Sequence, residues 1–108
     1  MQEITVQELK SRMDAGEKLH LIDVREEWEA REFNIGGQNI PLSILTTKLE
    51  DLDDLKDEEV IVHCKMGGRS FQAAMILEQM GFRKVKNVSG GLDAWIAAFG
   101  NPPAQAHQ

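Results

Sequence analysis

The chain has 108 residues, a formal net charge of −6 at pH 7 and one cysteine. This length suits one domain, the lone thiol excludes an internal disulfide, and the acidic balance excludes nucleic acid as a general partner, because phosphate binding needs a cationic face. No apolar run is long enough to cross a bilayer, and the start, MQEITVQELK, lacks the basic and apolar regions of a signal peptide. The expectation is therefore a cytoplasmic protein without membrane contact and, by size, a monomer.

In chain order, Thr5 followed by Glu8 has the pattern of a helix capping box. Val6, Leu9 and Met13 then share one helical face, and Gly16 suits the stop. LHLIDV reads as a buried strand. REEWEAREF reads as a short helix anchored by Trp28. GGQNIPLS resets the chain and leads through a short extended piece, 39–41. Ser43 is expected to cap a further helix, with Leu42, Leu45, Leu49 and Leu52 as its apolar stripe. The acidic run EDLDDLKDEE has no calcium-loop spacing and reads as a solvated helix end and loop.

VIVHC is nearly all apolar, as a parallel strand covered on both faces requires. A helix follows from Arg69, with Ala73, Ile76, Leu77 and Met80 on its face and Gly81 at its end. KVKNV reads as another strand. Ser89, Gly90 and Gly91 lead into a last helix carrying Leu92, Trp95, Ile96 and Phe99. Residues 101–108 form a polar, proline-containing tail expected to fray, so the domain is expected over residues 1–100. Alternating strands and helices give an α/β class with a mainly parallel sheet. In such sheets the functional crevice lies beyond the carboxyl ends of the strands, which is where Cys64 falls.

Strand, Cys64, glycine-containing loop and helix follow one another in HCKMGGRS. Gly67 and Gly68 permit a tight loop whose successive N–H groups, from Lys65 through Met66 to Arg69, can turn inward as an anion nest. The next helix adds free N–H groups and the positive end of its dipole. Lys65 and Arg69 add full charges. All of these favour a thiolate. A free cysteine, with a pKa near 8.5, is only about three per cent ionised at pH 7. One or two charge-assisted hydrogen bonds, at about 1.5–3 kcal/mol each, suffice to change that. His63 is adjacent, but neighbouring strand residues point to opposite faces, so it is not expected to act as a base. No pair of candidate ligands has metal-site spacing.

These residues carry a resemblance to the single-domain rhodaneses. LIDVREEWE, NIGGQNIPL, VIVHCKMGGRS and GGLDAW stand in the family's order and separations, from about Ile4 to Trp95. Asn34 and Gly36 depart from the histidine and proline common in the family's turn, and Lys65 stands where arginine is frequent. The resemblance implies a rhodanese-like fold: about five short strands flanked by helices on both faces. It also implies a sulfurtransferase that uses no cofactor. Cys64 would be the catalytic nucleophile, and Lys65, Met66, Gly67, Gly68 and Arg69 would bind substrate. The partners would be a small sulfur donor such as thiosulfate and a thiol or cyanide acceptor, with a protein acceptor as a further option. Asp23 and Arg25 would be a structural pair. The related phosphatases have one more residue between cysteine and arginine, and the Cys-x4-Arg spacing here favours sulfur over a phosphoryl group. The alternatives are a phosphatase or arsenate reductase of the same fold and a non-catalytic protein-binding module.

Overall fold

The strand Glu59–His63 is the middle of a sheet whose two faces are both covered, and its sequence shows why. Val60 and Val62, with Cys64 just beyond, point to one side, and Ile61 points to the other; all are buried. The computed structural model describes residues 1–102. Among them, five strands form one parallel sheet: β1 (Gln2–Ile4), β2 (His20–Asp23), β3 (Gln38–Asn39), β4 (Glu59–His63) and β5 (Lys84–Val88), in the spatial order β1-β5-β4-β2-β3. The helices are α1 (Val6–Asp14), α2 (Glu27–Glu32), α3 (Gly68–Gln79) and α4 (Gly91–Phe99). The last six residues of the tail expected to fray lie outside the described residues.

Two hydrophobic clusters sandwich the sheet. On one face Ile22, Val24, Val60 and Val62 pack with Leu45, Leu52, Ala73, Leu77 and Phe82. On the other, Leu21 and Ile61 pack with Val6 and Leu9 of α1 and with Leu92 and Trp95 of α4. The α/β class and the helices on both faces are therefore as the sequence suggested. Thr5 does cap α1, in a complete capping box with Glu8.

Four expectations need correction. Trp28 is not an anchor: it is 60% exposed, and Ala30 is the residue α2 buries. The segment after Pro41 is two 3₁₀ stretches, Leu42–Lys48 and Glu50–Leu55, rather than one α-helix, and Ser43 makes no cap. The 3₁₀ turn has three residues rather than 3.6, and Leu45 and Leu52 still reach the core. Met80 is the exposed C-cap of α3, whose buried apolar residues are Ala73, Ala74 and Leu77. The strand β1 pairs with β5 through Ile4 and Val88; at three residues it is too short to show a sequence pattern.

Candidate active site

The carboxyl ends of β2, β4 and β5 lie side by side, and Cys64 follows β4 directly. Its residue surface is 1% exposed. The chain turns at Gly67, whose φ of +111° a side chain would resist, and enters α3 at Gly68. The turn aims backbone donors at the sulfur. The Gly67 N–H reaches Sγ at 3.0 Å and the Ser70 N–H at 3.4 Å, while the Ser70 hydroxyl lies 3.3 Å away. Burial pushes the Cys64 thiol up. The bonds from the Ser70 hydroxyl and from the Ser70, Gly67 and Met66 N–H groups outweigh it, so the thiol is held below its ordinary value.

Ser70 stands in the first turn of α3. Gly67 occupies the cap, without a side-chain bond, and Ser70 is instead fully buried beneath the sulfur. Its hydroxyl also lies 3.2 Å from the Gly67 carbonyl and 2.5 Å from Asn87 Oδ1 on β5. The Asn87 amide nitrogen faces the Gly67 carbonyl and Glu3 Oε2, at 3.4 and 3.3 Å. Both are acceptors, so the amide oxygen must face Ser70. Asn87 was missed; its available signal was one uncharged polar residue inside the strand KVKNV.

The two cations stand at the rim, each held by a carboxylate. Lys65 Nζ lies 3.0 and 3.1 Å from the two Asp93 oxygens, at the start of α4. Arg69 meets Glu29 of α2 through two bonds, at 2.7 and 3.0 Å. This fork holds the Glu29 carboxyl below its usual range against the opposing effect of burial. Neither cation donates to Sγ in the structure; the sulfur's donors are the backbone N–H groups and Ser70. Glu29 and Asp93 were not singled out by sequence reasoning, because the pairings span 40 and 28 residues.

The loop is fixed from behind by α4. The N–H groups of Leu92 and Asp93 donate to the carbonyls of Cys64 and Lys65, both at 2.9 Å. This contact explains Gly91. Its φ is +58°, and a Cβ there would lie 2.8 Å from the Lys65 carbonyl carbon and oxygen and closer still to the Cys64 carbonyl oxygen. Beneath the loop, Arg25 grips Asp23 at 2.7–3.2 Å and bonds the Phe33 carbonyl. His63 points away from Cys64, as strand alternation requires. It is fully buried, with Asp23 Oδ2 3.9 Å from Nε2 and no hydrogen-bond partner on either ring nitrogen among the described residues.

A family model, the rhodanese-like domain, matches residues 5–98. The protein YtwF of Bacillus subtilis strain 168 is 40% identical over 96 residues, covering 88% of this chain and 90% of that protein. The sulfurtransferase of Allochromatium vinosum is 31% identical, over 86% of each chain. Among solved structures, the human single-domain sulfurtransferase TSTD1 superposes with a TM-score of 0.77 at 27% identity, covering 90% of this chain and 96% of that one.

Proposed function

This chain belongs to the rhodanese-like domain family, and from that premise we propose that it is a sulfurtransferase working through a persulfide on Cys64, with residues 1–100 as the catalytic domain. The observation that carries the reading is the buried sulfur facing the Gly67 and Ser70 N–H groups. Such a nest stabilises an anionic sulfur before and after transfer. Relatives named as sulfurtransferases support the same class.

In the first half-reaction the Cys64 thiolate attacks the outer sulfur of thiosulfate or of a persulfide donor. A new S–S bond forms, the donor's S–S bond breaks, and its electron pair leaves with sulfite or with a thiolate. The terminal sulfur of the Cys64 persulfide then sits in the mouth of the loop, close to the nest. In the second, cyanide or a thiolate takes that sulfur and the pair returns to Cys64. With one cysteine in the chain, the second thiol comes from outside.

Intact-mass measurement after mixing with thiosulfate or with a persulfide tests this. A gain of one sulfur, removed by cyanide and absent in Cys64→Ser, is expected. Turnover of phosphate esters with no sulfur gain from any donor would instead establish the phosphatase alternative.

A further inference from the structure

We propose that Glu29 and Asp93 are specificity-determining residues: they turn the Cys64 loop away from the thiosulfate dianion and towards persulfides, R–S–SH, whose R group carries no net negative charge. The inference rests on the sulfurtransferase reading and narrows its donor.

A dianionic donor needs positive charge or free N–H groups at the mouth. The loop has two cations, and each already faces a carboxylate through two contacts, Lys65 with Asp93 at 3.0 and 3.1 Å and Arg69 with Glu29 at 2.7 and 3.0 Å. The Gly67 and Ser70 N–H groups are directed at Sγ, not outward. A thiosulfate oxygen that pairs with either cation must therefore displace a carboxylate or bind beside one. Two positive charges, two negative charges and the thiolate leave the mouth net negative at the moment of attack, which opposes the approach of two more negative charges.

The surroundings have the same character. A groove of about 260 Å³ has Trp28, Phe33, Leu92 and Ile96 as apolar walls; its carboxylates, Glu29, Glu32 and Asp93, outnumber its cations, Lys65 and Arg25, and the Arg25 guanidinium is already taken up by Asp23 and the Phe33 carbonyl. The exposed Trp28, unused by the core, forms one wall of it. Apolar walls with acidic groups suit a donor body that is uncharged or cationic. The chemistry is balanced for such a donor. Cys64–S⁻ attacks the outer sulfur of R–S–SH, the Cys64–S–SH bond forms, and R–S⁻ leaves with the electron pair and takes a proton from water.

The test compares thiosulfate with the persulfide of N-acetylcysteinamide, following sulfur loading of Cys64 by intact mass and steady-state kcat/KM with cyanide as acceptor. Asp93→Asn and Glu29→Gln each remove one negative charge and keep the side-chain shape and a hydrogen-bond acceptor. Each is expected to raise the ratio of kcat/KM for thiosulfate to that for the persulfide roughly tenfold, the effect of one charge on a dianion about 6 Å away in well-screened surroundings. The gain should appear mainly in KM for thiosulfate and shrink as salt rises from about 20 to 500 mM. A purely structural role for the two carboxylates would lower both donors together. An unchanged or lower ratio, with Cys64 still loading, overturns this inference alone; failure of wild-type Cys64 to load from either donor overturns the sulfurtransferase reading with it.

Discussion

At Cys64 two opposing effects act on one sulfur. Burial favours the neutral thiol, and short donors favour the anion. The Ser70 hydroxyl has one proton and faces three acceptors, Sγ, the Gly67 carbonyl and Asn87 Oδ1. Ser70→Ala should move the midpoint of Cys64 alkylation by iodoacetamide to higher pH and slow it about threefold or more at pH 7, since a bond to a charged group contributes about 1.5–3 kcal/mol when fully formed. Lys65→Ala should lower kcat/KM for thiosulfate more than for an uncharged persulfide, because it leaves Asp93 without its cation; equal losses would remove Lys65 from donor recognition. The residue types of HCKMGGRS, with their order, made the thiol and its nest legible in the sequence. Ser70's orientation was not legible, because it depends on Asn87, 17 residues away on β5. The pairing of the two cations was hidden for the same reason. Trp28 was misjudged because a large aromatic residue reads as core, while here it walls a groove.

Among the elements, α4 sets the loop. Its first N–H groups hold the carbonyls of Cys64 and Lys65, and Gly91 makes the approach possible. Gly91→Ala should destabilise the fold by at least about 2 kcal/mol in urea unfolding, because it adds both an unfavourable left-handed backbone and a clash with the loop's own carbonyls. It should also lower the rate of Cys64 alkylation in the folded fraction. Gly68→Ala is a useful contrast, as a Cβ there meets nothing within 4 Å. The elements themselves followed from periodicity: α1, α3, α4, β2, β4 and β5 all coincide with the apolar patterns of the chain. The two 3₁₀ stretches did not, because a leucine stripe is compatible with either helical pitch over so few turns.

For the molecule as a whole, charge bears on the sheet from inside and from the rim. His63 is buried and held neutral, first by desolvation. The unfolded chain takes up a proton there near pH 6.5 and the folded chain does so only at lower pH, so the unfolded state binds more protons in that window. Stability is then complete above about pH 6.5 and declines below it, by at most about 1.4 kcal/mol per pH unit for one proton. Urea unfolding at pH 7.5 and 5.5 should show this decline, and His63→Leu should flatten it. Glu59 adds a second, more acidic limit. Hydrogen bonds from Arg12 and then Lys86 hold its carboxyl down to about 2, so that contribution is present above the ordinary carboxylate range and lost as pH falls through about 2. The clamp of α4 on the Cys64 loop has a consequence for time as well as shape. A ribosome delivers the loop's residues well before residues 91–99, and domains generally fold as units during synthesis. A nascent chain that has reached Val88 holds Gly67, Ser70 and Asn87 but not the helix whose N–H groups hold the Cys64 and Lys65 carbonyls, so the nest is expected to be complete only after α4 has been made and has docked.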